Sequence, residues 1–98
     1  IKDSVLEEEP WVAEELFRVF KAAKEIYLGE LKSGANPSPA DQTAVALGRI
    51  VGGDPFPFGV EPNRKALETI AQYAVDQHVT RKKYAPEELF APSTLRLT

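Results

Sequence analysis

The stretch Ser4–Gly34 reads "SVLEEEPWVAEELFRVFKAAKEIYLGELKSG". Val12, Leu16, Val19, Phe20, Ala23, Ile26, Tyr27 and Leu31 recur at steps of three and four, the period of an α-helix with one apolar side. Ser4, followed three residues later by Glu7, has the capping-box pattern and predicts a short first turn of helix. Pro10 suits the first position of a second, longer helix, where its missing N–H costs nothing. Ser33-Gly34 predicts its end.

Outward from this helix the chain repeats the theme. "ANPSPADQ" reads as a loop in which Ser38 caps a helix, Pro39 opens it and Asp41 stands three residues after the cap. The following helix has the apolar row Ala44, Leu47, Ile50 and Val51, is weakened by Gly48 by about 1 kcal/mol relative to alanine, and ends at Gly52-Gly53. A third helix is expected to start at Pro62 and run through Lys83. Its row is Leu67, Ile70, Ala71, Ala74, Val75 and His78, and its last turn is Arg81-Lys82-Lys83. "APEELF" predicts a single turn opened by Pro86, and "TLRLT" at the end is the one place with a hint of strand alternation. The fold class is therefore mainly α: three main helices plus short helical turns, in a single domain over residues 1–98. They form either a small bundle or the helical layer of a larger α/β protein.

Composition narrows the function. The formal charge of −3 argues against binding nucleic-acid phosphates as the main task. No apolar run approaches the ~20 residues that span a membrane, and no signal-peptide pattern is present. Cysteine is absent, which removes disulfide and thiolate chemistry. Methionine is absent too, and "IKDSV" is expected to lie inside a longer protein.

The candidate chemical groups each have a plain structural reading. His78, the one histidine, suits acid–base work near neutral pH, and equally suits the cationic end of an amphipathic helix. No zinc site is expected from one histidine without cysteine, and no metal or other cofactor is evident. Glu7, Glu8 and Glu9 are adjacent and point apart on a helix, so they read as a solvated start. Arg81-Lys82-Lys83 beside Tyr84 offers charges and a ring to nucleic acid, but complementing the helix dipole explains the charges without a ligand. The serines lack a nucleophile-elbow context, and the glycines lack phosphate-loop spacing.

"DPFPFGVEPNR", Asp54 to Arg64, fits none of these patterns. Its prolines stiffen a connector, Phe56 and Phe58 can plug a gap between helices, and Gly59 permits a tight bend. Asn63 and Arg64 at a helix start can equally hold a carboxylate.

Together with "PWVAEELFRVFKAAKE" and the continuation "KALETIAQYAVDQHVTRKKYAPEELFAP", this segment resembles the C-terminal end of the 4,5-dihydroxyphthalate decarboxylases and their relatives, proteins shaped like type 2 periplasmic solute-binding proteins. The resemblance covers nearly the whole chain, is strongest from Asp54 to Pro92, and is weakest from Lys32 to Gly53. The family often carries tyrosine where this chain has Phe58, which has no hydroxyl to hydrogen-bond. The resemblance implies a two-lobed α/β protein with a ligand cleft, of which this chain is the last, helical part. It implies loss of carbon dioxide from a dihydroxylated aromatic dicarboxylate, with this part alone inactive. Such a site needs cations for carboxylates, a proton donor and an apolar pocket. Arg64 and Asn63 are then candidate carboxylate contacts, and Phe56 or Phe58 a ring wall. No catalytic residue of the family is assigned to these positions. The expected partner is a small aromatic carboxylate, with a homo-oligomer also expected if apolar rows stay uncovered. The enzyme reading places the protein in the cytoplasm. The alternative, the C-terminal lobe of a non-catalytic solute-binding protein, places it in the periplasm or outside the cell.

Overall fold

In the computed structural model, which describes residues 1–98, the chain forms five α-helices and no strand. They are α1 (Asp3–Glu8), α2 (Trp11–Ser33), α3 (Pro39–Val51), α4 (Val60–Asp76) and α5 (Pro86–Leu89), followed by a 3-10 turn over Pro92–Thr94. The three long helices are the expected ones, and "TLRLT" lies in the 3-10 turn and the coil after it. No helix is long and apolar enough to cross a membrane.

Several boundaries differ from the expectation. The residue before α1 is Lys2, so Ser4 lies inside the helix and caps nothing. α2 begins at Trp11, one residue after Pro10. α4 begins at Val60, which puts Pro62 third in its first turn. A proline is tolerated there because the first-turn N–H groups have no partner within the helix.

α4 also stops early, at Asp76. His78 takes a left-handed φ of 58°. Its N–H donates to the Val75 carbonyl at 2.9 Å, while the Val79 N–H donates to Ala74 at 2.8 Å. These two bonds make a Schellman closure with histidine in the place glycine usually takes. His78 is therefore exposed beyond the helix, and Arg81-Lys82-Lys83 is not a last helical turn.

The Ser38 cap forms as expected. Ser38 Oγ accepts from the Asp41 N–H at 3.2 Å, and Asp41 Oδ2 accepts from the Ser38 N–H at 2.8 Å. α3 turns back sharply at its end, where the Gly53 N–H reaches the Gly48 carbonyl. A Cβ on Gly48 would stand 3.1 Å from Gly53 O, so this glycine makes room for that return.

Residues 1–15 with 58–98 form one compact unit, and residues 16–57 form a second. In the first, Ala13, Val60, Ala71 and Pro86 are buried, and α5 packs on α4. In the second, Ala44 is buried, and Phe17, Lys21, Lys24, Tyr27, Leu28 and Leu31 are the less exposed side of α2. Part of the predicted α2 row thus faces solvent: Leu16, Val19, Phe20, Ala23 and Ile26 are exposed. The side turned inward is the one carrying Lys24 and Tyr27, whose polar groups have partners within the unit. On α3 likewise Ala44, Val45 and Gly48 turn inward while Leu47, Ile50 and Val51 stay exposed.

Candidate functional site

The Asp54–Arg64 segment is held at both ends by side chains. In the second unit, Asp54 Oδ1 accepts from the Phe56 N–H at 2.8 Å, closing a local turn. Asp54 Oδ2 accepts from Lys24 Nζ at 2.6 Å, and the same ammonium donates to the Phe56 carbonyl at 3.0 Å. Burial pushes the Asp54 carboxyl up. The Lys24 hydrogen bond, the Phe56 N–H and the Lys24 charge outweigh it and hold the group below its ordinary value.

The Phe56 ring lies 6.5 Å from the Tyr27 ring at an angle of 34°. The Tyr27 hydroxyl in turn donates to Asp41 Oδ1 at 2.7 Å. That bond is the main reason the Asp41 carboxyl is held below, and the Tyr27 phenol above, the usual range. α2, α3 and the Gly53-Asp54-Pro55 turn enclose an open cavity of about 1180 Å³ in this unit, with Leu28, Leu31 and Val45 on its walls and Lys32 and Arg49 among its charged residues. The cavity is roomy because α3 lines it with small side chains, Ala44, Ala46 and Gly48.

In the first unit, Phe58 is half-buried. Gly59 has a φ of 98° and passes so close to the Leu97 carbonyl that a Cβ would collide with it. The Asn63 side-chain amide donates to the Gly59 carbonyl at 2.8 Å. Arg64 donates to both Glu61, one helical turn earlier, and Glu87 on α5, the latter at 2.5 Å. These two carboxylates raise the Arg64 guanidinium pKa, Glu61 more than Glu87. The guanidinium NH1 group is 3.7 Å from Glu68 and makes no hydrogen bond. A cleft of about 430 Å³ beside it is lined by Arg64, Glu68, Tyr84 and Glu87 among others.

Of the sequence-derived candidates, Asn63 and Arg64 thus stand together at the start of α4 with Phe58 in their unit, and Phe56 stands with Tyr27 and Lys24 in the other. His78 joins neither group and closes α4 instead. Lys82 pairs with Glu88 at 2.7 Å and lies 4.5 Å from the Tyr84 ring centre, which explains one member of the basic run, and its tyrosine neighbour, without a dipole. No three His, Cys, Asp or Glu side chains gather in a metal-holding group.

Sequence reasoning missed Lys24, Tyr27 and Glu87. Lys24 and Asp54 are 30 residues apart, and Arg64 and Glu87 are 23 apart, so no local spacing marks either pair. Comparison with known proteins found no matching family model, no matching curated protein and no matching solved structure.

Proposed function

We propose that this chain is the C-terminal helical part of a 4,5-dihydroxyphthalate decarboxylase-like protein, one that releases carbon dioxide from an aromatic dicarboxylate in a cleft completed by residues outside this chain. The observation that carries the reading is the Arg64–Glu87 ion pair. It joins the two ends of the resembling segment, "VEPNR" and "EELFAP", which are unrelated by local spacing. The two stretches of the resembling segment therefore meet in one folded unit, which supports reading them together.

In this reading Asp54, Gly59 and Asn63 shape the backbone. Arg64 donates to Glu61 and Glu87 through two of its nitrogens, and its third, NH1, pairs with Glu68 at 3.7 Å, so a substrate carboxylate at NH1 would take the place of Glu68. Phe58, in the same unit as Arg64, offers an apolar ring wall, which favours loss of charge from a departing carboxylate.

The groups nearest Arg64 favour a second reading. They are carboxylates, Glu61, Glu68 and Glu87, with no histidine among them. That set suits holding a ligand without chemistry, as in a non-catalytic solute-binding protein for a small aromatic carboxylate.

The test is carbon dioxide release by the full-length protein given 4,5-dihydroxyphthalate, with Arg64→Ala beside it. The expected result is turnover, with kcat/KM lowered about tenfold or more in the variant, the range of a lost charged hydrogen bond. Tight binding without release moves the protein to the solute-binding reading. Unchanged kinetics in Arg64→Ala removes Arg64 from the site.

A further inference from the structure

Asp54–Pro55 is the one Asp–Pro bond in the chain. Such a bond carries its own nucleophile. The aspartate carboxylate closes a small cyclic anhydride with the carbonyl carbon of the same residue, so the attack is intramolecular. The leaving nitrogen belongs to a tertiary amide, which its extra alkyl group makes more basic than other peptide nitrogens. Once protonated in acid, it departs readily.

In the folded chain neither reacting group is free. Asp54 Oδ2 accepts from Lys24 Nζ at 2.6 Å, and Oδ1 accepts from the Phe56 N–H at 2.8 Å. Both oxygens share their lone pairs with donors, which weakens the carboxylate as a nucleophile and fixes its rotation. Lys24 also donates to the Phe56 carbonyl at 3.0 Å, so one ammonium holds the carboxylate and the backbone beyond the proline together. Pro55 is half-buried, with its Cδ 3.8 Å from the place of a Cβ on Gly48. That carbon is bonded to the leaving nitrogen, so α3 hinders both the approach of acid and the departure of the ring. The other charged groups that line the cavity with Asp54 are Glu30 and Lys32 on α2 and Asp41 and Arg49 on α3, and none of them is hydrogen-bonded to it.

We infer that Asp54–Pro55 is an acid-triggered self-scission site, and that Lys24 is the positioning residue that holds it closed in the folded chain. The Pro55 nitrogen takes a proton from solvent. An Asp54 carboxylate oxygen released from Lys24 bonds to the Asp54 carbonyl carbon. The C–N bond to Pro55 breaks, its electron pair goes to the nitrogen, and Pro55 becomes a new N-terminal amine. Water then opens the anhydride and leaves Asp54 as a C-terminal residue. The cut separates α1, α2 and α3 from α4 and α5. This inference is independent of the decarboxylase reading, because it needs no substrate.

The test is incubation of the 98-residue chain at about pH 4, near the unfolded aspartate value. Mass spectrometry reads the fraction cut between Asp54 and Pro55, and circular dichroism at the same pH reads the fold. The chain unfolded in urea is cut about tenfold faster or more than the folded chain, as the loss of a charged hydrogen bond and of the proline packing requires. Folded Lys24→Met is cut about fivefold faster than the folded wild type, the factor that the single Lys24 bond supplies. Asp54→Asn is not cut at this position even in urea, because a carboxamide is a poor nucleophile. Gly59→Ala separates this role from general stability. It strains the first unit and leaves the Lys24–Asp54 bond in place, so its rate stays near that of the wild type. Equal rates with and without urea, wild-type scission in Lys24→Met, scission in Gly59→Ala as fast as in Lys24→Met, or a cut that persists in Asp54→Asn would each overturn the inference.

Discussion

Lys24 Nζ lies 2.6 Å from Asp54 Oδ2 and 3.0 Å from the Phe56 carbonyl, so one lysine on α2 fixes the turn that opens the proline–phenylalanine segment. The Lys24 side chain is only 12 % exposed. Lys24→Met keeps the apolar stem and removes the charge. It should cost about 1 kcal/mol, discounted for the partly solvated carboxylate, and appear as a lower urea midpoint. Asp54 is held below its ordinary value in the folded chain. Its contribution is therefore complete above the unfolded aspartate value of about 3.9 and is lost as pH falls through the lower folded value. In Lys24→Met that part of the acid sensitivity should shrink. An unchanged acid transition would show that Asp54 does not depend on Lys24.

Gly59 and Gly29 should respond to alanine with opposite signs. Gly59 combines a φ of 98° with the Leu97 carbonyl in the place of a Cβ, whereas Gly29 is exposed in mid-helix with nothing within 4 Å. Gly59→Ala should lower stability by about 2 kcal/mol or more. Gly29→Ala should raise it by about 0.5–1 kcal/mol. Equilibrium urea unfolding of both variants decides this. Equal effects would mean that the Gly59–Leu97 approach does not constrain the fold.

His78 holds a left-handed conformation at the end of α4 without any side-chain bond that requires histidine. His78→Gly should therefore stabilise the chain by about 1 kcal/mol, by removing the Cβ penalty of that conformation. A thermal melt that moves down would show that the imidazole makes a contribution outweighing the strain.

Arg64 bridges α4 to α5 through Glu87. Hydrogen exchange should show faster exchange of the Glu87–Leu89 amides in Arg64→Ala and in Glu87→Gln. The double variant should be no faster than the singles, since one interaction is lost in all three. The Glu61 and Glu87 carboxyls are both held below their ordinary values, chiefly by hydrogen bonds from Arg64. The tie is thus intact above the unfolded glutamate value of about 4.3 and loosens as pH falls through the lower folded values. α5 amides that stay protected in acid, or in the variants, would show that packing alone holds α5.

The apolar rows were legible as helices, but not as an inside and an outside. Leu16, Val19, Phe20 and Ile26 set the helical period of α2 and nevertheless face solvent, while Lys24 and Tyr27 turn inward. A wide stripe fixes a period and leaves the rotation of the helix open, because apolar residues occupy more than one side of it. The end of α4 was hidden for a similar reason. "DQHVTRKK" has acceptable helix formers, and only the left-handed turn at His78 shows where the hydrogen bonding changes.

The candidate site divides in the same way. "VEPNR" was visible as a helix start with a carboxylate-seeking pair, but nothing near Arg64 in the chain announces Glu87. The sequence alone determined what local rules control: that these segments are helices, that Ser38 and Asp41 cap one of them, and that Ser33-Gly34 and Gly52-Gly53 interrupt the helical run. Those features depend on hydrogen bonds and dihedral preferences within a few residues. Tertiary structure alone decided which side of α2 is covered, which carboxylate Arg64 meets on α5 and which backbone Gly59 passes beneath. Each depends on groups more than 20 residues apart in the chain being brought together, and local spacing carries no record of that.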